Sequence, residues 1–374
     1  MRRESIVILG LSITSSWGNG HATTYRALVR ELARRGHELL FLERDVPWYA
    51  THRDLPSPPW GRTFLYTSLQ ELHERFTGAV RQADLVIVGS YVPQGVAVAS
   101  WVLDTAQGIT AFYDIDTPVT MAKLAVGDHE YLSPELIPGF DLYLSFTGGP
   151  TLQRLQQELR AQRPRPFYCS VDPELYYPQP TATDWDLGYL GTYSPDRQPG
   201  LERLLLQVAK SWPQGRFTVA GPQFPASVVW PPNVDRIDHL PPARHRSFYN
   251  AQRFTLNLTR ADMVEAGWSP SVRLFEAAAC GVPIISDGWP GLDQLFVPGE
   301  EILIPASGEE LCGWLLEMPE EQSVAIGLAG RRRILAAHTA AHRAAELESH
   351  LEECRWRPSE PATAAPVLNP FSRP

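Results

Sequence analysis

The segment IVILGLSITSSWGNGHATTYRALVRELARRGHELLFL, residues 6–42, carries the reading of the fold. Ile6-Val7-Ile8-Leu9 is an unbroken apolar run that stops at Gly10. A polar loop follows, Ser15-Ser16-Trp17-Gly18-Asn19-Gly20. Beyond it Tyr25, Leu28, Val29, Leu32 and Ala33 recur at helical spacing and form one apolar face. Gly36 ends this helix, and Glu38–Leu42 reads as the next strand. A strand that is apolar at every position has no solvent face. Its sheet is therefore covered on both sides, as parallel α/β sheets are.

The pattern continues outward and then restarts. Leu85–Gly89 and Thr110–Tyr113 are further apolar runs before polar turns. Cys169-Ser170-Val171-Asp172-Pro173 and Tyr177-Pro178-Gln179-Pro180 form a proline-rich junction suited to a linker. Leu187-Gly188-Tyr189-Leu190-Gly191 opens a second strand–loop–helix series, which Phe217–Gly221 and Phe254–Leu258 extend. The reading is two Rossmann-like domains, 1–172 and 173–341, facing a central cleft. Ligands of such sheets lie outside the carboxyl ends of the strands. Residues 358–374 read as a disordered proline-rich tail.

Composition bounds the function. The chain has 374 residues, enough for two cores, and no apolar run long enough to span a bilayer. The formal net charge of −9 argues against a general nucleic-acid partner. Peripheral membrane contact stays open. Cys169, Cys280, Cys312 and Cys354 are scattered, with the spacing of neither a zinc site nor a disulfide framework. Reduced thiols in a cytoplasmic protein is the expectation.

The stretch richest in chemistry runs from Ser269 to Pro283. Ser269 suits an N-cap, Pro270 the first helical position, and Gly281 with Pro283 the stop. The helix start makes an anion site at Ser269–Ser271. Arg273 and Glu276 share a face, so Glu276 can accept hydrogen bonds from a ribose while the helix start holds a diphosphate. An ordinary capped helix with a surface Arg–Glu pair has the same sequence.

Four fragments carry a resemblance to a known family. They are Gly18-Asn19-Gly20 with Arg35-Gly36-His37-Glu38, Val171–Pro178, Gly191–Arg197, and Glu276–Pro283. Together they resemble the retaining GT-B glycosyltransferases, and within them the spore-maturation-protein type of glycosyltransferase domain. The resemblance spans nearly the whole chain apart from the tail. It implies the GT-B fold, a nucleoside-diphosphate sugar as donor, no cofactor and no metal, and an acceptor that is a glycan, lipid or protein. It also implies a helix at about 342–354 packing back on the first domain. By the same resemblance Gly18, Gly20, Gly191, Thr192, Arg197, Ser269, Ser271, Arg273 and Glu276 are the donor residues. The chain departs from the family at Trp268, eight positions before Glu276, where an acidic residue usually serves the sugar. The basic pair after the first strand of the second domain is reduced to Thr192 and Arg197, and Arg273 can supply the missing charge.

Candidate catalytic groups lie in the first half. Tyr113-Asp114-Ile115-Asp116-Thr117-Pro118 puts two carboxylates after a strand, where Asp114 or Asp116 can orient an acceptor or take its proton. A divalent metal held by the Asp-x-Asp pair and simple turn chemistry are the alternatives. His21 is a candidate base or a structural loop histidine. No stretch matches G-x-G-x-x-G or a phosphate loop, which disfavours nicotinamide and NTPase chemistry. A nucleotide-sugar epimerase and a non-catalytic nucleotide-sugar-binding protein are the rival readings.

Overall fold

The structure, a computed structural model, describes residues 2–356. The tail expected over 358–374 lies outside them. Seven parallel strands form the N-terminal sheet: β1 (Ser5–Gly10), β2 (Glu38–Arg44), β3 (Arg62–Tyr66), β4 (Leu85–Gly89), β5 (Ile109–Asp114), β6 (Leu142–Ser145) and β7 (Pro164–Pro166). Their order is β3-β2-β1-β4-β5-β6-β7. Five parallel strands form the C-terminal sheet: β8 (Trp185–Leu190), β9 (Phe217–Ala220), β10 (Val234–Ile237), β11 (Gln252–Asn257) and β12 (Ile284–Ser286). Their order is β10-β9-β8-β11-β12.

The apolar runs dictate this arrangement. On β1, Val7 and Leu9 point into one core with Leu72, Phe76 and Val86. Ile6 and Ile8 point into the other, with Tyr25, Leu28 and Leu32 of the His21–Arg34 helix. Both faces are thus filled, as alternation within an all-apolar strand requires. In each sheet the strand order reverses once, between β1 and β4 and between β8 and β11. A crevice opens at such a switch point outside the carboxyl ends of the strands.

The chain passes between the halves twice. Val171 pairs with Thr339 where the outgoing and returning segments cross, and the Val171 amide donates to the His338 carbonyl at 3.2 Å. The last helix, Ala340–Arg355, returns to the N-terminal half and buries Ala344, Leu347 and Leu351 beside Tyr25 and Leu28. Glu348 of this helix takes hydrogen bonds from Arg35 and His37. The Ala261–Ala266 helix of the C-terminal half also packs on Thr117–Ala125 of the N-terminal half. Among the described residues no helix is long and apolar enough to cross a membrane.

Candidate active site

The loops at the two switch points surround one cavity of about 490 Å³ between the sheets. That volume suits a nucleotide-sized ligand. A second cavity, about 810 Å³, lies among the β1–β3 residues Ser5–Val7, Glu38–Leu40 and Arg62. These are the amino ends of the strands, away from the switch-point loops.

On the C-terminal side the loop after β8 brings Gly191, Thr192 and Arg197 to the cavity, and the Val272–Ala279 helix brings Ser271, Arg273 and Glu276. Arg273 is buried. Its Nη1 donates to Asn257 Oδ1 at 2.6 Å and its Nε to the Leu190 carbonyl. Its guanidinium also sits 5.0 Å from the centre of the Tyr189 ring. Gly191 makes room for it: a Cβ there would lie 2.9 Å from Arg273 Nη2 and 2.5 Å from the Tyr189 hydroxyl. Arg197 donates to the Thr192 carbonyl at 2.6 Å, and its Nε has no partner. Burial, and with it the positive charges of Arg273 and Arg260, pulls the Arg197 pKa below the usual value.

Arg260, after β11, completes this cluster in the cavity wall. Among the described residues none of the three arginines has a carboxylate within ion-pair distance. Arg273 is buried and Arg197 and Arg260 are half-buried, and cations so shielded are normally paired, so a trio without a carboxylate marks a place for an anion. The first-turn amides of the Val272–Ala279 helix face the same region and have no side-chain cap.

The helix start differs from the expectation. It begins at Val272, after Ser271, and not at Pro270. Ser269 is fully buried, donates to the Gly267 carbonyl at 2.7 Å and meets Thr147 of the other half at 2.7 Å. Its hydroxyl is used up in joining the two halves, so Ser269 does not line the cavity. Ser271 does, and its hydroxyl donates to Asn257 Oδ1 at 2.8 Å.

Glu276 lies on the cavity wall but is not bare. Tyr176 donates to its Oε1 at 2.9 Å, Tyr249 to its Oε2 at 3.1 Å, and His245 Nδ1 stands 3.3 Å from Oε2. Burial first, and the Glu276 charge second, pushes both phenol pKa values well up, so they remain donors. A carboxylate accepts about four hydrogen bonds, so capacity remains for a ligand hydroxyl.

On the N-terminal side, the loop after β1 is tied down by Glu43 at the end of β2. This fully buried carboxylate accepts from the Ile13 and Thr14 amides at 2.7 and 3.0 Å and from the Thr14 hydroxyl at 2.6 Å. Asn19 then accepts from the Ala22 amide at 3.0 Å and so seats the helix start. The result puts Gly18, Gly20 and His21 on the cavity wall. His21 Nε2 meets Asp116 Oδ2 at 3.1 Å, and the His21 ring stands edge-on to Tyr91.

Asp114 is placed differently from the expectation. It is fully buried, accepts from Tyr143 at 2.6 Å and Thr120 at 2.7 Å, and does not line the cavity. Burial pushes its pKa up to about 6. As the last residue of β5 its side chain points into the layer behind the sheet, while Asp116, two residues on and past the strand, turns to the cleft. The two carboxylates therefore do not converge on one point.

Trp268 has the left-handed backbone (φ +42°) and is not in the cavity wall. Its carbonyl accepts from the Gly148 amide at 3.0 Å, and its ring packs on Gly149 of one half and Gly291 of the other. A Cβ at Gly149 would come within 2.4 Å of the indole. At the position where the resemblance implied an acid for the sugar, the chain has a wedge joining the two halves.

Several site residues were not singled out in the sequence: Arg260, His245, Tyr249, Tyr91 and the anchoring Glu43. Arg260 had a legible signal, since it directly follows the apolar run Phe254–Leu258 and Thr259 at a carboxyl strand end. The tyrosines and His245 had none, because they reach the site from distant elements.

Comparison with known proteins follows this geometry. Residues 197–349 match a family described as glycosyl transferase-like. No curated protein matches the chain at a significant level. Among solved structures, sucrose-phosphate synthase from Thermosynechococcus elongatus is similar with a TM-score of 0.67 and 16% identity, over 94% of this chain and 99% of that one. The Anabaena protein HepE, in complex with UDP and glucose, gives 0.69 and 13%, over 94% and 100%. An alpha-glucosyltransferase in complex with UDP-glucose and DNA gives 0.72 and 12%, over 94% and 100%. With two parallel-sheet domains set around a cleft and these structural relatives, the chain has the GT-B fold.

Proposed function

We propose that the chain transfers a glycosyl group from a nucleoside-diphosphate sugar to an acceptor hydroxyl. The observation that carries this reading is the trio Arg197, Arg260 and Arg273, unpaired beside an uncapped helix start in the cleft. Glycosyl transfer leaves negative charge on a departing diphosphate, and preorganised cations and amides stabilise it most in a site shielded from water. Glu276 takes the ribose hydroxyls. Asp116, held by His21, faces the acceptor side and orients the incoming hydroxyl. The match of residues 197–349 to a glycosyl transferase-like family supports the donor half of this assignment.

The structural relatives solved with UDP or UDP-glucose make UDP-glucose the first donor to test. All four cysteines are free, which suits the reducing cytoplasm we assign to it. The resemblance to the spore-maturation type adds retention of anomeric configuration, which proton NMR of the product reads directly.

The test is a thermal-shift panel of UDP-, GDP- and ADP-sugars, followed by donor turnover with and without an acceptor pool. A ligand at about 100 Kd stabilises the native state by roughly 2.7 kcal/mol. Turnover that requires acceptor supports transfer. Isomerised donor without acceptor would make the protein an epimerase, and binding without turnover a non-catalytic binder.

A further inference from the structure

The N-terminal lip of the cavity carries aromatic rings that the donor reading does not use. Trp48 is 54% exposed, an unusual cost for the largest apolar side chain. It sits in the short Pro47–Ala50 helix after β2. Trp17 is half-buried in the loop after β1 and stacks on the exposed His52, ring centres 4.5 Å apart. Neither ring lines the cavity, but chain neighbours of each do. Ser16 and Gly18 flank Trp17, Tyr49 follows Trp48, and all three line the cavity. His52 links the two segments, its Nδ1 lying 3.0 Å from the Trp48 carbonyl.

The charges of this lip are spent internally. Arg26 holds Asp54 through two contacts, at 2.8 and 3.0 Å, and Arg53 holds Asp45 at 2.5 Å. No lysine lies near, since the chain has only Lys123 and Lys210. An anionic lipid surface or a phosphorylated acceptor would need free cations here. Aromatic faces without free charge suit a different chemistry. The C–H faces of neutral sugar rings stack on indole, while their hydroxyls stay in water or bond to the polar rim.

Resting on the glycosyl-transfer reading, we infer that the acceptor is a neutral glycan chain, its rings stacked along Trp48 and Trp17 as the terminal hydroxyl enters beside Asp116. The loops after β1 and β2 are neighbours at the carboxyl edge of the sheet, so the lip leads into the cavity from the N-terminal half. The three arginines lie on the opposite, C-terminal side, which keeps donor and acceptor apart until they meet at the His21–Asp116 pair.

The experiment uses the full chain with UDP present. Linear neutral gluco- and manno-oligosaccharides of increasing length are titrated by calorimetry, and phosphatidylglycerol vesicles by co-sedimentation. The expected result is oligosaccharide binding that tightens over the first few rings. Trp48→Ala weakens it about tenfold, and Trp48→Phe restores most of it, because a stacking face is what is needed. The UDP-induced thermal shift stays unchanged in both variants. Failure of every neutral oligosaccharide to bind, equal binding by Trp48→Ala, or vesicle binding that depends on Trp48 would overturn the inference. Trp48-dependent oligosaccharide binding without any UDP shift would instead support the glycan surface and sink the donor reading.

Discussion

Arg273 and Glu276 stand three residues apart on one helix, in opposite electrostatic surroundings. Arg273 touches only neutral acceptors and an aromatic face, whereas Glu276 is held by two tyrosines and a histidine. Glu276→Ala should weaken nucleotide binding by about 1–3 kcal/mol, the cost of losing a charged acceptor. Calorimetry with UDP, GDP and ADP checks this, and equal affinities in wild type and variant would remove Glu276 from the site. The two aspartates separate equally cleanly. Asp116→Asn should keep donor binding and lose transfer, while Asp114→Asn should keep both, since Asp114 never reaches the cavity. Asp114 has a pH signature of its own. Its pKa is raised to about 6 by burial, so the native state holds its proton where the unfolded chain has released it. Its contribution to stability is full below the ordinary carboxylate range and is lost as pH rises through about 6. The melting temperature of Asp114→Asn, relative to wild type, should therefore climb between acid and neutral pH. A difference independent of pH would mean that Asp114 is charged in the native state.

At the scale of elements, the loop after β1 shows how a site is held. Gly18, Gly20 and His21 supply the wall, but Glu43 on the neighbouring strand sets the loop's shape through three bonds to Ile13 and Thr14 and one to Ser12. Glu43→Ala leaves buried donors unpaired, at a cost of about 1–3 kcal/mol. Urea unfolding should show that loss together with weaker ligand binding, although Glu43 touches no ligand. A variant of unchanged midpoint and affinity would show that the loop holds its shape alone. Sequence periodicity found β1, β2, β4, β5, β8, β9 and β11, each of which contains an apolar run. It passed over five strands, β3, β6, β7, β10 and β12, and for β3, β7 and β12 the physical reason is plain. β3 is an edge strand with Arg62 and Thr63, β7 is Pro164-Arg165-Pro166, and β12 has three residues. Such strands are made by pairing with a formed neighbour, not by their own pattern.

Over the whole molecule, the two halves are joined by more than the crossing segments. Trp268 wedges between Gly149 and Gly291, Ser269 meets Thr147, and the last helix returns to the first half. Ending the chain before Ala340 would uncover the Tyr25–Leu28 face and leave Arg35, His37 and Glu4 without their partners on that helix. The shortened chain should lose cooperative unfolding or fail to stay soluble. A two-state melt at the wild-type temperature would mean that this helix contributes nothing. The cluster of arginines also bears on metal use. Three guanidiniums and a helix start can neutralise a diphosphate without a divalent ion. Transfer should proceed at the wild-type rate in EDTA, and loss of activity restored by Mg²⁺ or Mn²⁺ would overturn that division of labour.

By itself the sequence determined what is local and periodic: two α/β series, the parallel sheets they imply, and the loops that end strands. A site at carboxyl strand ends follows from that order, while Gly191 and Arg197 were singled out by the resemblance and Arg273 by its helix face. Tertiary structure alone decided which side chain faces which space. Asp114 and Asp116 are two residues apart, yet one is sealed under Tyr143 and the other faces the cleft, because the strand ends between them. Ser269 looks like a helix cap but bonds across to Thr147, and Trp268 fills the interdomain gap instead of serving a sugar. Arg260, Tyr176, Tyr249 and His245 meet Arg273 and Glu276 only after folding. Their separations along the chain carry no period, since contacts between elements are set by packing of the whole core and not by any local repeat.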